Sequence, residues 1–237
     1  GEAISAGKLK GLAIMRSHGG RIRAIQTGET VIDISFIGAP TCDDYGNCKG
    51  VGGKSDCGVL SYSFVDGNHA NKVVAVTDCL VPFPNYPADI NMTKVDYVCV
   101  VDQIGIPEKI ASGAAKPTTD VRKLMMADYC TQDFDTSAVE SVKRPDHHRI
   151  SAGAYANPFN KGAFVNKLDY VVLAALEIDV NFNCNVVVGS DGVITGAQGG
   201  HPDAAMGAKC TIVISPLVQG RIPAICSNVT TVTTPGE

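Results

Sequence analysis

Long apolar runs are missing from this sequence. No stretch approaches the roughly 20 residues that a helical membrane span requires, so a protein away from the membrane is expected. No cleavable signal opens the chain, and the expected location is the cytoplasm. Paired Cys-x-x-Cys knuckles are missing too. The nine cysteines are odd in number, and the first three, Cys42, Cys48 and Cys57, are spaced unlike zinc ligands. Neither a metal site nor a disulfide framework is expected, and Cys99 and Cys210 sit in apolar runs where a thiol behaves as a small hydrophobe. Positive charge is scarce as well: a net charge of −4 argues against nucleic acid as a partner.

Several catalytic signatures are also lacking. There is no H-E-x-x-H, and no G-x-S-x-G elbow, because Ser55 follows Gly53 but precedes Cys57 where a glycine belongs. The string GNCKGVGGKSDCG, residues 46–58, invites a phosphate-loop reading through Gly53, Lys54 and Ser55. The register fails, since Cys48 occupies the place of the first required glycine.

What is present is a series of Val- and Ile-rich runs: GLAIM, VIDISFIGAP, KVVAVTDC, DYVCVVDQ, DYVVLAALEIDV, CNVVVG and CTIVISPL. Near-continuous apolar runs predict strands of a sheet covered on both faces. TTDVRKLMMADYC predicts a helix with Val121, Leu124, Met125 and Tyr129 on one face. Glycine- or proline-rich loops follow several strands, and ligands of open α/β sheets sit at such strand ends. The predicted class is α/β, in two halves of residues 1–130 and 131–237, with the join in a polar stretch that holds the adjacent, surface-type His147 and His148. No strict internal repeat is visible.

Candidate chemistry falls in three stretches. In GSDGVITGAQGGHPDAAMGA, Pro202 marks a helix start, and the backbone N–H groups of Gly199, Gly200 and His201 are expected to converge on an anion or oxyanion. A plain strand–turn–helix connection is the alternative. His201 reads as a general acid/base, an oxyanion donor or a helix cap, and Asp203 as a residue favouring a helix N-terminus. Glu177, on an apolar strand, is either a nucleophile or a residue that orders a loop. In RSHGGRIRAIQTGE, the residues His18, Arg21 and Arg23, placed just after a strand, suit a polycarboxylate or form a solvated basic loop.

Together these strings resemble the citrate lyase α-subunit (citrate CoA-transferase) family. The resemblance is carried in order by RSHGGRIRAIQTGE, IDISFIGAPTCDDYGN, GVGGKSDCG, TDCLVPFPN, YANPFNKGAFVN, DYVVLAALEID, GSDGVITGAQGGHPDAAMGAK and GRIPAICSNVTTVTTPG. Wider CoA-transferases share a P-x-x-D-x-x-G-N turn, here Pro40, Asp43 and Gly46-Asn47. The resemblance implies two halves of the NagB/RpiA/CoA-transferase type, with an active site where their glycine-rich loops meet. It implies catalytic roles around His201, Gly199, Gly200 and Glu177, and substrate contacts from His18, Arg21, Arg23, Asn47, Gly52, Gly53, Lys54, Ser190 and Asp191. The implied reaction replaces acetate by citrate on the thioester of an acyl-carrier protein. That carrier's phosphoribosyl-dephospho-CoA arm takes the place of a cofactor, none being held tightly by this chain, and acetyl-CoA is a surrogate. A citryl lyase β subunit and an oligomeric complex are the further implied partners. The family also has a segment between what are here Cys130 and Thr131, and residues before Gly1 and after Glu237, so a trimmed or incomplete version of a longer chain is expected. Two rivals remain at this level: an acetyl-CoA hydrolase or acetate CoA-transferase working through a glutamyl thioester on Glu177, and a non-enzymatic sugar-phosphate sensor domain.

Overall fold

The computed structural model describes residues 2–106, 150–189, 192–219 and 222–236. The division expected at 130/131, the helix expected over 118–130, His147 and His148, and the candidates Ser190 and Asp191 lie outside these residues. The chain forms two compact units, Ile25–Ser151 and Gly1–Ala24 with Ala152–Glu237. The N-terminal segment thus groups with the C-terminal part of the chain. Both units mix helices with small sheets, and the fold is α/β. No helix among the described residues is long and apolar enough to cross a membrane.

Helices α1 (Glu2–Ser5) and α2 (His18–Gln26) open the chain. GLAIM, expected as a strand, lies between them without forming one, and Leu12 is 102% exposed. Its side chains are apolar, but no described strand offers it a ladder partner. The basic stretch expected as a post-strand loop is α2 itself, with Ile22 and Ile25, one turn apart, both buried.

In the unit Ile25–Ser151 the order is β1 (Ile34–Gly38), β2 (Thr41–Asp43), β3 (Cys48–Lys49), α3 (Ser61–His69), β4 (Lys72–Thr77), β5 (Leu80–Val81) and β6 (Tyr97–Val100). Parallel strands β1-β4-β6 form one sheet, and β3-β2-β5 another. Alternate residues enter the core: Ile37 from β1 and Val73 and Ala75 from β4 meet Cys42, Cys48, Leu60 and Ile90. The cover expected on both faces is present on one only among these residues, since Phe36 is 72% exposed.

The other unit carries α4 (Ala152–Ala156), β7 (Tyr170–Ala174), β8 (Glu177–Asp179), β9 (Cys184–Asn185), α5 (His201–Gly207), β10 (Cys210–Ile214), β11 (Val218–Gln219), β12 (Ile222–Pro223) and β13 (Ile225–Cys226). Strand β10 runs parallel to β7, and β13-β8-β9 form a second small sheet. Ala163, Val165 and Ala204 pack with Tyr155, Val171 and Leu173. CNVVVG, expected as one strand, yields only the two residues of β9.

The two units repeat one hydrogen-bonded module. In one, Asp43 accepts the N–H of Tyr45 and of Asn47 and the Asn47 side-chain amide. In the other, Asp179 accepts the N–H of Asn181 and of Asn183 and the Asn183 side-chain amide. The following cysteines match as well: Cys48 N–H donates to the Ile90 carbonyl and Cys184 N–H to the Thr234 carbonyl. Even the turn conformation recurs, with φ of 98° at Gly46 and 64° at Phe182. One constant sequence separation relates Thr41, Asp43, Gly46, Asn47, Cys48 and Lys49 to Glu177, Asp179, Phe182, Asn183, Cys184 and Asn185.

Candidate functional site

The repeat separates what builds the module from what is particular to one copy. Asp43 with Asn47, and Asp179 with Asn183, do the same work twice. Burial opposes ionisation of both carboxylates, but the donors gathered on each hold it below the usual carboxylate range. Asn47 also accepts Met92 N–H on its side-chain oxygen and the Asn85 amide on its carbonyl. Its polar groups are thereby used within the unit, as a turn builder requires.

Three differences between the copies lie together in the unit that holds Ala152–Glu237. Thr41 and Lys49 are replaced by Glu177 and Asn185, and Ile90 by Thr234. Glu177 is buried at the start of β8. Its Oε2 accepts the Asn185 amide at 2.8 Å and the Thr230 N–H at 2.9 Å, while Oε1 accepts the Thr230 hydroxyl at 2.9 Å. The Asn185 amide is shared with the Val188 carbonyl. The carboxylate therefore pins the 230–234 loop to the β8–β9 hairpin.

His201 begins α5, with Gly200 at the N-cap and Pro202 in the first turn. Its Nδ1 lies 2.8 Å from the Thr234 hydroxyl. Its Nε2 is buried with no partner in good hydrogen-bond geometry among the described residues. Burial pushes the imidazole pKa down, and the Ala174 carbonyl opposes this only in part, so the ring is neutral at pH 7. The His201 N–H donates to the Gln198 carbonyl at 3.1 Å, so of the three backbone donors expected to converge, this one is taken. The N–H groups of Gly199 and Gly200 bind no protein group among the described residues.

The start of α2 meets the start of α5. His18 N–H donates to the Gly199 carbonyl at 2.9 Å. Asp203 accepts the Ser17 hydroxyl at 2.6 Å and the Gly19 N–H at 2.9 Å, so it caps α2 rather than its own helix. Burial raises the Asp203 pKa against the effect of these two donors and of His18. Arg21 is half-buried on α2, and the Arg23 guanidinium lies over the Phe159 ring at 3.7 Å. His18, Arg21, Glu177, Gly199, Gly200 and His201 thus fall in one unit, at the C-terminal end of β7 and around two helix starts.

Asn47, Gly52, Gly53 and Lys54 belong to the other unit. A Cβ at Gly53 would strike the Pro40 carbonyl, so that glycine is required by the loop's own backbone. Gly53 N–H donates to Asp56, and the exposed Lys54 ammonium reaches the Asp102 carbonyl at 3.3 Å. Asn185, Thr230, Thr234 and Ser17 escaped the sequence reading because only the tertiary fold brings them to Glu177, His201 and Asp203. Among the described residues no group of three His, Cys, Asp or Glu is placed to hold a metal.

The family model described as citrate lyase, alpha subunit (CitF) matches residues 1–132 and 129–237. The citrate lyase alpha chains of Klebsiella pneumoniae and Haemophilus influenzae are each 38% identical over 304 aligned positions, covering the whole chain. The chain spans 60% and 61% of the lengths of these curated relatives. A Streptococcus mutans structure, described as the alpha subunit of citrate lyase in complex with citrate, aligns with a TM-score of 0.86 at 40% identity. The alignment covers 99% of this chain and 59% of that one. An acyl-CoA transferase from Escherichia coli O157:H7, 16% identical over 87% of this chain and 51% of its own, shares the fold at a TM-score of 0.58.

Proposed function

The chain belongs to the citrate lyase α-subunit family, and on that premise we propose that it is a citrate CoA-transferase. It exchanges acetate for citrate on the thioester of an acyl-carrier protein. The observation that carries the reading beyond family membership is the polar cluster confined to one copy of the repeated module: Glu177, Asn185, Thr230, Thr234 and His201 beside two helix starts.

Citrate's carboxylates are ionised at neutral pH and need no general base. One attacks the acetyl thioester, giving a mixed anhydride and a thiolate. The thiolate then attacks the citryl carbonyl, and acetate leaves with the electron pair of the anhydride bond. In this scheme the protein orients two anions, stabilises tetrahedral oxyanions and keeps water away. The Gly199 and Gly200 N–H groups are the oxyanion donors, and neutral His201, steadied by Thr234, stands beside them. His18 and Arg21 on α2 hold citrate's remaining carboxylates, and Ser190 and Asp191 are further contacts. Lys54, Gly52 and Gly53 serve the carrier's phosphoribosyl-dephospho-CoA arm, with acetyl-CoA as its surrogate. Asn47 acts indirectly, by building its turn, and Arg23 by packing on Phe159. In finer terms the fold is two CoA-transferase-type halves with glycine-rich loops. The setting is a cytoplasmic complex with the carrier and a citryl lyase β subunit.

The glutamyl-thioester alternative needs Glu177 as nucleophile. Its two oxygens are occupied by three donors, which favours a positioning role. The test of the transferase reading supplies the protein with acetylated carrier and labelled citrate. Label on the carrier as a citryl thioester, with equivalent acetate released, is expected; acetate release without label transfer would overturn the reading.

A further inference from the structure

Two buried cysteines form a pair with a distinct geometry, whereas Cys99 and Cys210, expected as small hydrophobes, are exposed. Cys42 on β2 and Cys48 on β3 are both fully buried, and their sulfurs lie 3.5 Å apart. They face each other in the antiparallel register of the hairpin. Neither uses its backbone across that hairpin: Cys42 N–H donates to the Cys79 carbonyl, and Cys48 exchanges hydrogen bonds with Ile90. The hairpin's own bond runs from Asp43 N–H to the Asn47 carbonyl. Cys42 and Cys48 are therefore a non-hydrogen-bonded pair, the antiparallel position with the closer Cα spacing of roughly 4.5 Å. That spacing lies at the lower end of the range a disulfide bridges, about 4.4–6.8 Å.

The repeat shows that the module does not demand this pair. At the matching positions of the other unit stand Ile178 and Cys184, which share the same register. We propose that Cys42 and Cys48 form a reversible dithiol–disulfide modification site, oxidised by hydrogen peroxide. The thiolate of one attacks a peroxide oxygen, breaking the O–O bond and leaving a sulfenic acid and, after protonation of the departing hydroxide, one water. The other thiol then attacks that sulfur, its proton leaves with the displaced hydroxide as a second water, and two electrons have passed from two thiols to peroxide.

Two features support the pairing. The Cys48 S–H directed at Cys42 pulls the Cys42 pKa down against burial, and the same contact, with burial, pushes Cys48 up. The Cys42 sulfur also lies 3.2 Å from the Asp43 carbonyl and the Cys48 sulfur 3.5 Å from the Gly46 carbonyl, so either thiol can begin the reaction. The bond would span the turn in which Asp43 holds the Asn47 and Asn85 N–H groups, so closing it ties down that network.

The test uses the whole chain. It is treated with hydrogen peroxide, unfolded, alkylated and cut with trypsin, which releases residues 24–49 with Cys42 and Cys48 as their only cysteines. The expected product is this peptide unalkylated and lighter by two hydrogens, with both alkylation sites restored by dithiothreitol. Cys42→Ser should leave Cys48 alkylatable after the same treatment. Exposed Cys57, Cys99 and Cys210 are the internal controls. Full alkylation of the 24–49 peptide under conditions that oxidise those three would overturn the proposal, as would conversion of Cys42 or Cys48 to sulfinic acid without a bridge.

Discussion

Asp203 accepts the backbone N–H of Gly19 at 2.9 Å across 184 residues of sequence. One carboxylate on α5 thereby fixes where α2 begins, and with it the place of His18 and Arg21. Asp203→Ala strands the Gly19 donor and the Ser17 hydroxyl, so a stability loss of about 1–2 kcal/mol is expected in chemical denaturation. The pH dependence has its own sign. The folded pKa is raised by burial, so the stability Asp203 contributes is full below the unfolded value near 4 and is lost as pH rises through the folded value. Asp203→Asn should abolish this dependence, and the stability of the native protein relative to that variant should rise on acidification.

Glu177→Gln discriminates between positioning and covalent roles. A glutamine oxygen at the Oε2 place still accepts the Asn185 amide and Thr230 N–H, and its amide at the Oε1 place donates to the Thr230 hydroxyl. A stability change below about 1 kcal/mol and a transfer rate within about tenfold of the native enzyme are expected. Acetyl donor alone, followed by hydroxylamine or borohydride and peptide mapping, should leave Glu177 unmodified. An adduct at Glu177 with activity abolished in the glutamine variant would install the glutamyl-thioester route.

How much of this was legible in the sequence depended on whether the signal was local. The Val- and Ile-rich runs marked β1, β4, β6, β7 and β10, because β-branched residues and buried pleats go together. HPDAAMGA announced α5 through Pro202. GLAIM misled because apolar composition does not supply a ladder partner, and α2 was hidden because its cap, Asp203, lies in another part of the chain. The repeat was invisible as identity, since the shared turn reduces to Asp, Asn and Cys at fixed spacing, while Thr41 and Glu177 or Lys49 and Asn185 have nothing in common. Family resemblance marked the loops around His201 and Glu177. It could not show that Asn47 spends its hydrogen bonds on a turn.

His201 gives a second pH signature. Its folded pKa lies below the ordinary value near 6.5, so its contribution to stability is present above that value and is lost as pH falls through the folded pKa. His201→Gln should lose less stability than the native protein between pH 7 and pH 5, measured by denaturation at each pH. If the ring takes part in oxyanion stabilisation, the same variant lowers kcat about a hundredfold with little change in citrate KM. Thr234→Val removes the hydroxyl from Nδ1 and should reproduce part of the kcat loss.

The matched turns allow a paired test of backbone strain. Gly46 and Phe182 occupy the same place in the two modules, and both have positive φ. Only glycine adopts that region without cost, and a side chain there costs about 1–2 kcal/mol. Phe182 is 75% exposed, so its ring recovers little of this through burial. Phe182→Gly should therefore be neutral or stabilising, by up to about 1 kcal/mol, with the gain offset by the greater freedom of glycine in the unfolded chain. Gly46→Ala meets both obstacles at once, because its Cβ would lie 2.8 Å from the Val95 Cβ in addition to the unfavourable φ. A loss of about 2–3 kcal/mol is expected there. Thermal or urea denaturation of the two variants decides the matter. Equal losses at both positions would mean that the turns, alike in hydrogen bonds, do not share one backbone strain.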